Sequence, residues 1–252
     1  MRLFPLLLGA VIAAACDDPA PAKNPFEPPP TATKDPPPVT EPVQPTGPPQ
    51  IKISEEGPKI GWNEILIEKS DGRERLKTEV VANKQHWEGK KVALFIDRKA
   101  KLRWVVAMLE ELAAAGATGF TINTGTRKEY SGALAFVPES KVDKPAACAL
   151  VGMVLEDRAT AIWSLEGGGA SKRPKGMAGP DLTTTQETIE RRGKACKGST
   201  SFFVSAAESV EWGLAYDLAA AAAQVPEPKL DTFVLLTKTP VAGRKVTLGS
   251  SG

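Results

Sequence analysis

Thirteen of the chain's 22 prolines fall between residues 17 and 50. That density limits the fold most, because proline fixes φ and donates no backbone hydrogen bond. Phe26, Val39 and Val43 are the only large apolar residues in the stretch, so it cannot bury a core. It reads as a disordered tether. Runs such as Pro28-Pro29-Pro30 and Pro36-Pro37-Pro38 favour polyproline II. At about 3.1 Å per residue, the tether reaches on the order of 100 Å. A spacer suits an exported chain better than a proline-rich ligand for another domain. Globular structure must come from the roughly 200 residues that follow, enough for one large domain or two small ones.

The residues before the tether read as a processing signal. Met1-Arg2 gives a positive start, and Leu3 to Ala15 is almost wholly apolar. Those 13 residues are fewer than the about 20 that a permanent membrane helix needs, and they fit a secretory signal. Ala13-Ala14-Ala15-Cys16 resembles the lipobox of bacterial lipoproteins, in which the cysteine is lipidated after cleavage. The resemblance implies a membrane anchor at Cys16 and a place on the periplasmic side of a bacterial membrane. Asp17 resembles an inner-membrane retention signal in some bacteria, so the choice of inner or outer membrane stays open. Removing residues 1–15 takes the net charge from +2 to 31 − 30 = +1, a balance that argues against nucleic acid as a partner.

Periodicity predicts a recurring order in the rest. In the first half, Ile51–Ile53 and Glu64–Ile67 read as strands, and Arg73 to Trp87 as a helix. A strand over Lys91–Asp97 follows, then an amphipathic helix over Leu102–Ala115 and strands over Thr118–Thr124 and Ala133–Val137. In the second half, strands are expected at Ala149–Leu155 and Thr160–Leu165. Asp181 caps a helix to Arg192, stopped by Gly193. A strand at Ser201–Ser205, a helix at Ser209–Ala223, a strand at Thr232–Leu236 and a short last strand at Lys245–Leu248 complete it. Phe95 and Trp104 are nine residues apart, as are Phe203 and Trp212, each pair joining a strand to a helix. The expected fold is α+β: two similar small β-β-α-β-α-β units packed as a pseudo-dimer. The organisation is a signal over 1–15, lipidated Cys16 and linker over 16–50, and units over 51–140 and 147–249.

Val92 to Thr124 resembles the periplasmic domain of the ExbD/TolR family. The shared order is a hydrophobic strand ending at Asp97, a polar link, the helix Leu102–Ala115, Ala115-Gly116 and the strand Phe120–Thr124. The second half is similar more loosely, with Ser205 where Asp97 stands. Members of that family also have a membrane helix with an acidic residue in a proton path. Residues 1–15 hold no acid, so that role is not carried over. The resemblance implies dimerisation and contact with peptidoglycan, ExbB/TolQ-like proteins or TonB/TolA-like proteins.

Few residues invite chemistry. Cys148 and Cys196 are expected to form a disulfide after export. His86 sits at a helix end without a serine or cysteine nucleophile motif, and reads as structural. Glu110 and Glu111 are adjacent on a helix and read as a solvated face. Gly167-Gly168-Gly169 with Lys172, Arg173 and Lys175 lacks a phosphate-loop ending and reads as a mobile hairpin extension. Trp104 and Trp212 begin helices and read as core or interface residues. Trp62 joins them as a possible sugar-stacking group, and none of the three is assigned to a ligand. No metal, cofactor or catalytic residue is expected. The reading is a non-catalytic envelope adaptor. Its alternatives are an envelope hydrolase acting on peptidoglycan and a purely structural spacer or assembly lipoprotein.

Overall fold

A computed structural model describes residues 47–249 apart from Ala178 and Lys197. The signal, Cys16 and the tether up to Thr46 lie outside the described residues. Among the described residues the structure is mixed α+β, with four α-helices and an eleven-stranded sheet.

The chain opens with β1 (Ile51–Ile53), β2 (Pro58–Ile60) and β3 (Asn63–Glu64), each antiparallel to the one before. Helix α1 (Gly72–Ala82) returns the chain to β4 (Lys91–Ile96), which lies parallel to β1. Helix α2 (Leu102–Ala114) then crosses to β5 (Gly119–Asn123), parallel to β4. Burial along β4 alternates strictly, with Val92, Leu94 and Ile96 inside. That is the period-2 signature of a strand with one face on a core. In α2, Leu102, Val105, Leu109 and Leu112 are buried, the 3.6-residue equivalent.

The same pairing scheme then recurs. Strands β7 (Leu150–Val154), β8 (Thr160–Ser164) and β9 (Gly167–Arg173) form an antiparallel meander. A short hairpin of β10 (Lys175–Gly176) and β11 (Gly179–Pro180) precedes α3 (Leu182–Gly193). Strand β12 (Ser201–Ala206) is parallel to β7, α4 (Trp212–Ala223) crosses over, and β13 (Thr232–Leu235) is parallel to β12. Between the two segments runs β6 (Ala133–Phe136), antiparallel to β5 and parallel to β13. The order β3-β2-β1-β4-β5-β6-β13-β12-β7-β8-β9 is thus one continuous sheet.

Several boundaries differ from expectation. The strand expected over Glu64–Ile67 is two residues long and ends at Glu64, and Pro58–Ile60 supplies a strand that periodicity missed. The first helix stops at Ala82 and gives way to a 3-10 turn over Lys84–His86. The glycine triplet opens β9, the second arm of a tight antiparallel hairpin with β8, so it is sheet strand as well as hairpin. The expected strand over Lys245–Leu248 is irregular chain, tied to the sheet by Val246 N–H donating to the Leu165 carbonyl at 2.8 Å. Asp181 caps α3 as expected, accepting from Thr184 N–H at 3.2 Å. No described helix is long and apolar enough to cross a membrane.

Candidate binding surfaces

The helices share one face of the sheet. Phe120, Phe136, Phe233 and Phe202 form a cross-strand row on that side, with neighbouring rings 6.0–6.3 Å apart from Phe136 to Phe233 to Phe202. The two sheet segments are locked there by an ion pair whose carboxylate is buried. Helix α4 is apolar except for Asp217, whose side chain is only 1% exposed. Arg98, in the link between β4 and α2, donates to both its carboxylate oxygens, at 2.8 and 2.7 Å. Arg127 adds a longer contact at 3.9 Å. This bidentate fork holds the Arg98 guanidinium even more firmly protonated than usual, against the opposing effect of burial.

The backbone completes the lock. The first N–H groups of a helix have no partner within it. Here Trp212 N–H donates to the Ala100 carbonyl at 2.9 Å and Gly213 N–H to the Arg98 carbonyl at 2.8 Å. A Cβ on Gly213 would stand 2.9 Å from that carbonyl oxygen, so only glycine permits the approach. Trp212 Nε1 donates to Thr124 Oγ1 at 2.9 Å, and the Tyr216 hydroxyl reaches the Ile122 and Ser131 carbonyls at 3.3 Å each. Burial pushes the Tyr216 hydroxyl's pKa upward, so it stays a neutral donor. Every polar group named here is satisfied by another, which is the chemistry of a joint.

A second knot fixes the start of α2. Glu68 accepts from Arg103, Lys101 and Trp104 Nε1, and Lys101 sits 4.7 Å over the Trp104 ring. The Arg103 and Lys101 hydrogen bonds lower the Glu68 pKa to about 2. Glu110 and Glu111, expected to point apart into solvent, converge on one guanidinium. Arg73 donates to Glu110 at 2.6 Å and to Glu111 at 3.1 Å. These side chains rim a hollow of about 570 Å³ floored by Leu109, Phe120, Phe136 and Leu235.

The opposite face of the sheet differs between the segments. One cross-strand row there reads Trp163, Val151, Phe203, Val234 on β8, β7, β12 and β13. All four are 0% exposed. Their cover is the chain after β13, which passes Thr239 beside Met153 and brings the Arg244 carbonyl to Trp163 Nε1 at 2.9 Å. Ala242, Val246 and Leu248 pack on the core. Glu139, itself buried, fastens both ends of this strap by accepting from Thr237 N–H at 2.8 Å and Gly249 N–H at 2.5 Å.

The equivalent row in the first segment reads Lys59, Lys52, Phe95, Asn123 on β2, β1, β4 and β5. Phe95 is 48% exposed, and Lys52, Lys91 and Ala93 are exposed on the same face. A shallow hollow of about 310 Å³ opens beside Phe95, bounded by Lys52, Asp97, Asn123, Gly125 and Gly132. It lies at the carboxyl end of the parallel strands β4 and β5, where open sheets with crossover helices commonly take ligands.

Of the residues singled out from sequence, Cys16 is outside the described chain. Cys148 and Cys196 stand at disulfide distance, their Cα atoms 5.5 Å apart, joining the approach to β7 to the end of α3. His86 stacks obliquely near Trp87, whose Nε1 donates to the Val80 carbonyl at 2.9 Å. Trp104 and Trp212 are buried, and Trp62 is 70% exposed on the turn between β2 and β3. Sequence reasoning passed over Arg98, Asp217 and Glu139. Asp217 left a signal, being the single charge in the run Trp212–Ala223, since an acid inside an apolar helix needs a buried partner. Glu139 left none, because its partners are backbone groups about 100 residues away in sequence.

Comparison with known proteins finds no match to any family model, curated protein or solved structure.

Proposed function

We propose that this chain is a non-catalytic cell-envelope adaptor. A lipid on Cys16 anchors it on the periplasmic side of a bacterial membrane. The proline-rich tether sets its reach, and two ExbD/TolR-like units, paired as a pseudo-dimer, dock protein partners or peptidoglycan. The proton-conducting role of that family is not part of the proposal. The observation that carries the reading is the recurrence of one pairing scheme, β3-β2-β1-β4-β5 and then β9-β8-β7-β12-β13, each with two helices on the same face. A cysteine pair at disulfide distance supports an oxidising compartment. The polar groups at the joint pair with one another, as suits a rigid scaffold that holds the two segments together.

Two measurements test it. Palmitate labelling of the wild type against Cys16→Ser checks the anchor, and equal labelling of both removes it. Detergent extracts of envelopes, probed for co-purifying ExbB/TolQ-like and TonB/TolA-like proteins and for sedimentation with peptidoglycan, check the docking role. Capture of none of these overturns the adaptor reading.

A further inference from the structure

We propose that the outer face of the first sheet segment, centred on Phe95 and Lys52, docks an extended acidic peptide segment of a partner protein. The inference deepens the adaptor reading, on which it rests for the existence of a partner, by naming where that partner sits and what chemistry it carries.

The molecule supplies its own template. Phe203 and Phe95 hold corresponding places in the two pairing schemes. Over the Phe203 row runs a strap of the chain's own residues, bent at Thr237–Lys238, turning at Ala242–Gly243, and fastened by Glu139 and by Trp163. No described residue covers Phe95, which stays 48% exposed on the open face of β4. Its neighbours on β4, β5 and β6 are small or polar: Ala93, Thr121, Asn123, Ala133 and Ala135. Such a floor admits a chain lying flat against it, with the Phe95 ring and the adjacent 310 Å³ hollow taking one apolar side chain.

Charge selects the occupant. Lys52, Lys59 and Lys91 share this face with Phe95, and among the described residues only Lys59 of the three has an acidic partner, Glu64. Asp97 stands at the far end, where it accepts from Lys99 N–H. A second copy of the same face would set lysine against lysine. Carboxylates on an extended segment complement the lysines instead, steering the encounter and fixing its register.

The test uses the full-length chain as bait for a phage-displayed library of random dodecapeptides at physiological salt. Selected peptides should carry several Asp or Glu residues around one large apolar residue. Their affinity, read by fluorescence anisotropy, should fall at least tenfold with Phe95→Ala and with Lys52→Glu, and should weaken as salt rises. Both positions are exposed, so the variants should stay folded, with only a small loss of stability. Recovery of neutral or basic peptides, recovery of none, or undiminished binding to both variants overturns the proposal. So does protection of Phe95 by soluble muropeptides but not by the selected peptides, which assigns the face to an anionic glycan. Those failures leave the adaptor reading standing. Peptide selection with no envelope partner captured removes that reading alone.

Discussion

Phe203 and Phe95 occupy matching places in two sheet segments of the same pairing scheme, yet Phe203 is 0% exposed and Phe95 is 48% exposed. The rows around them show why. Trp163, Val151 and Val234 flank Phe203, whereas Lys59, Lys52 and Asn123 flank Phe95. One segment is written for burial on both faces, the other for burial on one. The covered face obtains its cover from the strap beyond β13, so a shared backbone scheme leaves open how many sides of a sheet become core.

The largest effect should come from emptying the doubly covered row. Phe203→Ala deletes a ring with no exposed surface from between the sheet and its strap, and should cost about 3–5 kcal/mol. Denaturant unfolding reads this as a lower midpoint at constant slope. A loss below about 1 kcal/mol would mean that the strap rests loosely, and the contrast between the segments would fail.

The covalent asymmetry ranks next. Cys148 and Cys196 lie 48 residues apart in the second segment, and the first segment has no cysteine. Cys148→Ser, or reduction of the wild type, should destabilise the protein by about 2–4 kcal/mol. Hydrogen exchange should place the loosening at β7 and α3 rather than at β1 and α1. Uniform loosening of both segments would show that they unfold as one unit.

The joint between the segments comes third. Arg98→Ala leaves Asp217 buried with only the 3.9 Å contact to Arg127. Losing one member of a buried pair can cost 3–5 kcal/mol, but the guanidinium is about one-third exposed, so about 2 kcal/mol is expected. A double-mutant cycle with Asp217→Ala should show strong coupling. Additive losses would mean that the pair does not hold the segments together.

Acid should affect the first segment in its own way. Glu68 is held at about pKa 2 by Arg103 and Lys101, well below the usual carboxylate range. A depressed folded pKa contributes stability that is full above the unfolded value and is lost as pH falls toward 2. Because Glu68 lies at the surface, the effect should be small and weakened by salt. Glu68→Gln should flatten that part of the stability profile, and an unchanged profile would show that the knot carries no folding linkage.

Much of this contrast was legible beforehand, and its limits are physical. The alternating KVALFI of β4 and the amphipathic Leu102–Ala114 helix declare themselves because one face of each is buried, which imprints a period on the residues. The Asp181 cap is a local hydrogen bond. Strand β9 was hidden because Gly167, Gly168 and Gly169 have low strand propensity and adopt φ values of +93°, +98° and +85°; pairing with β8 supplies what local preference lacks. Val246 and its neighbours looked like a strand for the opposite reason, since their apolar residues serve as cover over a sheet face. Arg98–Asp217 joins residues 119 apart, a distance that only the finished fold closes.

The smallest stability effect should come from the position that looks most like Phe203 in sequence. Phe95→Ala removes the same ring from the same place in the pairing scheme, but nearly half of it already faces solvent. Burial free energy scales with the apolar area taken from water, about 25 cal/mol per Å², so most of the penalty paid at Phe203 is absent here. The expected change is below about 1 kcal/mol, within the range of ordinary surface substitutions. Measured beside Phe203→Ala under the same conditions, the pair gives a ratio that the native-state contacts alone should set. If Phe95→Ala proves as costly as Phe203→Ala, then Phe95 is buried in solution by something that lies over the open face. The cost would then depend on protein concentration if the cover were a second copy of the chain, and would be independent of it if the cover came from the same molecule.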